Sequence, residues 1–130
     1  MYLYLFYIIN NDLDDIGKVY SATSEVITLQ SGQKYYHGAV DLPAGSYIAR
    51  ANPVFKPGKY GPRQVVIAIK NSDVVYMRRV DYTDENKTQY TGVCTTFSTS
   101  EQIQLSLVLY QNSGEDLSVT TSTLVIIKIK

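Results

Sequence analysis

Apolar and polar side chains alternate with a period of two through much of the chain, and turn-forming residues break the alternation at short intervals. The clearest run is Ile103-Gln104-Leu105-Ser106-Leu107-Val108-Leu109-Tyr110, in which Ile103, Leu105, Leu107 and Leu109 share one face and Gln104 and Ser106 the other. A strand sends alternate side chains to opposite faces, whereas a helix repeats every ~3.6 residues, so this run predicts a strand. The same reading predicts strands over Tyr2 to Ile9, Ile16 to Tyr20, Glu25 to Leu29, Gln33 to Val40, Ser46 to Ala51, Gln64 to Lys70, Val74 to Tyr82, Thr88 to Phe97, Ile103 to Gln111 and Thr123 to Ile129. Short strands with regular punctuation predict an all-β fold, a sandwich or barrel of about ten short antiparallel strands.

The breaks carry turn chemistry: Ser31-Gly32, Pro43-Ala44-Gly45, Asn71-Ser72-Asp73, Thr83 to Lys87, and Asn112 to Asp116. One connection differs from the others. Asn52 to Arg63 holds Pro53, Pro57, Pro62, Gly58 and Gly61, which prevent a regular ladder and predict an exposed loop at one end of the sandwich. No internal repeat or low-complexity tract interrupts the chain, and its length fits one domain over residues 1–130.

Composition agrees with strands. Tyr, Thr, Val and Ile fill more than a third of the chain, and these types suit a pleated, half-buried surface. Twelve basic and twelve acidic residues leave no net field to draw the protein to nucleic acid or an anionic membrane, so no nucleic-acid partner is expected. One cysteine, Cys94, excludes an internal disulfide, and its strand neighbours Val93 and Thr95 make a small buried filler the expectation for it. The opening run Met1 to Ile9 lacks a basic leader and a small-residue cleavage site, and it is too short to span a bilayer. It is expected to be a strand covered on both faces, lying beside the last strand, in a chain made in the cytoplasm and not inserted in a membrane.

From Pro43 onward the order of features resembles the tumour-necrosis-factor and complement-head superfamily. Leu42-Pro43-Ala44-Gly45-Ser46-Tyr47-Ile48 is similar to that family's entry to a central strand, and Val65 to Ser72 to the next strand with its Asn-containing turn. Ile103 to Gln111 resembles the penultimate strand and Leu124 to Ile129 the closing one. The usual Gly-Asp pair is replaced by Ser100-Glu101-Gln102, and the Phe-x-Gly of the last strand is missing. The resemblance implies a jelly roll that assembles as a homotrimer; decoration and knob proteins of bacteriophage particles share the pattern, and the absence of disulfides and of an export signal suits them better than a secreted immune protein.

Catalytic chemistry is thin. The single histidine, His37, lies in Tyr35-Tyr36-His37-Gly38 with no nucleophile or ligand series nearby, and a half-exposed strand residue is expected. Asp12, Asp14 and Asp15 cluster hard oxygen donors without calcium-loop spacing, which leaves cation binding open. Gly58-Lys59-Tyr60-Gly61 lacks the Gly-Lys-Ser/Thr element of a phosphate loop, and Asn86-Lys87-Thr88 reads as a turn. No catalytic residue, cofactor or metal is therefore expected. Arg78 and Arg79 adjoin in one strand and must point to opposite faces.

The twelve tyrosines carry the strongest hint, because tyrosine offers stiff contact area with a polar tip and is enriched at interfaces. Candidate partner contacts are Lys56, Lys59, Tyr60 and Arg63 on the proline-rich loop, with Tyr35, Tyr36, Tyr76 and Tyr110 on strands; Tyr82 and Tyr90 are further tyrosines of interest. The expected role is that of a non-enzymatic, trimeric component of a virion surface, either a capsid decoration or a receptor-binding knob, with itself, other virion proteins or a surface glycan as partner. The alternative is a carbohydrate- or protein-binding module of a bacterial adhesin.

Overall fold

A computed structural model describes residues 15–120 and 122–130. The expected strand Tyr2 to Ile9, together with Asp12 and Asp14, lies outside the described residues.

Eight strands build two facing four-stranded antiparallel sheets. The first sheet takes β1 (Val19–Ser24), β12 (Ser122–Lys128), β4 (Gly45–Ala51) and β9 (Val93–Thr99) in that spatial order. The second takes β3 (Lys34–Leu42), β10 (Ile103–Gln111), β6 (Gly61–Ile69) and β7 (Val75–Thr83). Each sheet interleaves early and late strands, the double Greek key of a jelly roll.

Four further strands are short: β2 (Ile27–Leu29) falls within the expected strand Glu25 to Leu29, whereas β5 (Val54–Phe55), β8 (Gln89–Tyr90) and β11 (Leu117–Val119) were not separately legible or lay outside the expected bounds. Each sits in the connection between one sheet and the other, and together they form a third sheet in the order β2-β11-β5-β8. The four connections at one end of the sandwich are thus woven into a cap. Backbone bonds from Lys56 N to Ser118 O (2.8 Å), Thr120 N to Val54 O (2.9 Å) and Thr91 N to Pro53 O (3.1 Å) join them. The expected exposed loop Asn52 to Arg63 is therefore corrected: Phe55 is 0 % exposed and plugs the core, and Pro53, Gly58 and Gly61 are buried.

The core lies between the sheets. Leu105, Leu107 and Leu109 of β10 meet Val65 and Ile67 of β6, and opposite them stand Ala49, Leu124 and Ile126, all 0 % exposed. An aromatic file runs through it, with Tyr47 edge-on to Tyr20 and stacked on Phe97, which in turn stacks on Tyr76 at 4.3 Å. Burial pushes the Tyr47 phenol above its ordinary range, with Tyr20 and Asp15 adding to the effect, and its OH donates to Pro43 O.

Side chains tie both open flanks. His37 Nε2 donates to Ala22 O at 2.8 Å, joining β3 to β1; the carbonyl only accepts, so this nitrogen carries the proton. His37 is 2 % exposed, which corrects the half-exposed position expected for it: a bulge in β3 opposite Ser106, at Gly38 with φ +51°, turns the imidazole inward beside Leu107. At the other flank Arg79 donates to Gly92 O (2.8 Å) and to Asp81 (2.6 Å), tying β7 to the start of β9. Such cross-links cover strand edges that would otherwise template pairing with another chain.

Candidate functional site

The register of the second sheet builds a groove on its outward face. Tyr36, Val108, Val66 and Arg78 lie in one row across β3, β10, β6 and β7. Lys34, Tyr110, Gln64 and Val80 form the next row, and Ser106 and Ala68 lie on the other side of the first. In the first row the middle is small and the ends are long, while Tyr110 and Gln64 fill the middle of the second. Val66, Ala68 and Val108 form an apolar floor separate from the main core, and although they face outward they are 5 %, 6 % and 9 % exposed. Ser106, expected on a polar outer face, is likewise buried, its hydroxyl donating to Gly38 O at 2.9 Å in the bulge.

Walls of Tyr36 and Lys34 on one side and Arg78 on the other, with the β6–β7 turn Lys70 to Val74 closing an end, enclose about 410 Å³. Three strand spacings separate Tyr36 from Arg78, about 14 Å. Lys34, Lys70 and Arg78 face one carboxylate, Asp73, and among the described residues none of these four is in an ion pair. The groove is thus a shallow apolar floor ringed by excess positive charge, two phenols and hydrogen-bonding side chains, a composition common to sites that orient a small polar ligand.

The sequence candidates divide between two places. Tyr36 (50 % exposed) and Tyr110 line this groove, while Tyr35 and Tyr76, one residue out of phase or on the inward face, pack against the core and offer no free ring. Lys56, Lys59 and Tyr60 are exposed at the capped end, where Tyr60 lies 6.1 Å from Tyr82. Arg63 does not join them. It is in phase with Val65 and Ile67, so its side chain enters the capped end of the core; it is 0 % exposed and donates to Gly61 O (2.8 Å) and Lys59 O (2.7 Å). Burial lowers its proton affinity from the ordinary arginine value and Glu115 opposes that fall, while the two carbonyl bonds make the guanidinium an internal strut for the loop.

Lys34, Gln64 and Arg78 were not singled out by sequence as one site. Their shared parity with Tyr36 and Tyr110 is the signal that would have found them, once the order of strands was known. Cys94 also departs from expectation: it is exposed on the outer face of the first sheet, in register with Arg50. Among the described residues no group of three His, Cys, Asp or Glu side chains could hold a metal ion, and no helix is long and apolar enough to cross a membrane.

The fold is a β-sandwich of the viral-capsid type. It is similar to the protein of the T13 particle of infectious bursal disease virus, with a TM-score of 0.64 at 15% identity over 88% of this chain and 32% of that one. The VP2 subviral particle of the same virus gives a TM-score of 0.62 at 16% identity over 88% of this chain and 34% of that one. The chain thus spans about a third of the length of these capsid proteins. FLHE, a protein of comparable length, gives a TM-score of 0.50 at 13% identity over 88% of this chain and 99% of that one. No family model and no curated protein matches the sequence. At these identities the likeness is one of fold.

Proposed function

We propose that the chain is a non-enzymatic structural subunit of a virus particle, a single-domain surface component that associates with copies of itself as a homotrimer. The observation that carries this reading is the alignment of 88% of the chain with capsid proteins that build icosahedral shells. The outward face of the first sheet supports it: Val19, Ile127 and Ile48 form one row, with Val125 beside them, and Val19 is 58 % exposed. An aliphatic stripe on an open sheet face is the kind of surface that subunits cover on assembly. Lys56, Lys59, Tyr60 and Tyr82, at the capped end, would then face outward toward other virion proteins.

Light scattering coupled to size exclusion tests the assembly. A trimer is expected at micromolar concentration, and Val19→Asp together with Ile48→Asp should return it to monomer with an unchanged circular-dichroism spectrum. A wild-type chain that stays monomeric and does not associate with particles would remove the reading.

A further inference from the structure

The groove on the second sheet is not needed for assembly through the first. We infer that it binds a carboxylated sugar, such as a uronic acid or sialic acid unit of a surface glycan, and this holds whether or not the chain forms a particle. Three features select that ligand. Lys34, Lys70 and Arg78 outweigh Asp73, so the site favours an anion; and the Arg78 fork matches the planar geometry of a carboxylate. Tyr36 and Tyr110 line the same groove as the apolar floor of Val66, Ala68 and Val108, and a tyrosine ring offers an electron-rich face to the polarised C–H groups of a pyranose. Gln64, Asn71 and Ser72 at the rim supply donors and acceptors for hydroxyl groups.

Other ligands fit less well. A nucleic acid strand needs a continuous basic track, whereas here the cations stand on opposite walls with an apolar floor between them. A peptide strand adds to a free edge, yet β10 and β6 at the floor are already paired on both sides. An acyl chain would need an enclosed apolar tunnel, and this floor is three small residues in an open trough.

Nitrogen-edited NMR of the whole chain, titrated with sialyllactose, a glucuronyl disaccharide and lactose, tests the inference. Either acidic sugar should shift the amides of Tyr36, Val66, Ala68, Arg78 and Val108, with affinity falling as salt is raised. Arg78→Gln and Tyr36→Ala, both at exposed strand positions, should each weaken binding by about tenfold, the loss of one charged hydrogen bond or one stacked ring. Equal binding of lactose would overturn the inference. So would the absence of shifts with either acid at about 10 mM, shifts confined to the capped end, or unchanged affinity in Arg78→Gln. Sugar-free self-association that perturbs the same amides would assign the groove to a second copy instead.

Discussion

Phe55 decides between two pictures of the proline-rich connection. If Asn52 to Arg63 were a solvated tip, Phe55→Ala would alter stability by less than about 0.5 kcal/mol, as surface changes do. In the structure its ring is fully buried beneath the cap, with Leu29, Leu117 and Val119 among the buried residues of the same cluster. Burying about 200 Å² of aromatic surface at about 25 cal/mol per Å² gives an upper figure of about 5 kcal/mol. Phenylalanine-to-alanine changes in cores cost about 3–5 kcal/mol, since the surroundings close only partly over the hole. Against a total stability of about 5–15 kcal/mol, that loss leaves a folded but weakened domain. Urea unfolding followed by far-ultraviolet circular dichroism should show the midpoint fall with an unchanged slope. At about 4 °C per kcal/mol for a domain of this size, the thermal midpoint should fall by about 12–20 °C. A change below about 1 kcal/mol would refute the cap as part of the core.

Three further outcomes follow from the same geometry. Gln111 is 0 % exposed and its amide bonds Leu29 O, Glu115 O and Ser113 N, so Gln111→Ala strands buried groups and should cost about 2–4 kcal/mol in the same denaturation assay. A methyl group at Gly61 would meet backbone atoms of Asn112 and Ser113 at 2.7 and 2.8 Å, so Gly61→Ala should cost about 1–3 kcal/mol by thermal melting, whereas Gly32→Ala, with open space around it but φ +78°, carries only the backbone strain. Burial raises the phenol pKa of both Tyr47 and Tyr76 in the folded chain; the unfolded chain therefore loses these protons first, and stability should be level below about pH 10 and decline as pH rises beyond it. Tyr76→Phe should shallow that alkaline decline in melts run across pH 9–12, and an unchanged slope would show that its phenol contributes nothing there.

The long strands were legible because period two survives wherever one face is buried: β10, β6 and β3 stand within about three residues of their expected bounds. Of the cap, only β2 was separately legible, within Glu25 to Leu29. Two- and three-residue strands such as Val54–Phe55 and Leu117–Val119 carry no measurable period, and prolines beside Val54 argued against pairing. For the candidate site, sequence identified tyrosines but could not say which of an adjacent pair looks outward. Tyr35 and Tyr36 are equivalent until the partners in the sheet are known, and Leu109 and Val108 then assign them opposite faces. Arg63 misled for a different reason. Arginine is almost never fully buried, yet its in-phase position with Val65 and Ile67 marked it as inward, and backbone carbonyls of its own loop satisfy two of its nitrogens.

The woven end gives the molecule a direction. Opposite the cap, the links Pro43-Ala44, Lys70 to Val74 and Ser100 to Gln102 are short turns outside the three sheets. New sequence spliced after Glu101 would be displayed there without unpicking the plug of Phe55, Leu117 and Val119. The same peptide placed after Val54, inside β5, would have to displace it. A lineage of such proteins is therefore free to diversify at one pole while the other stays fixed.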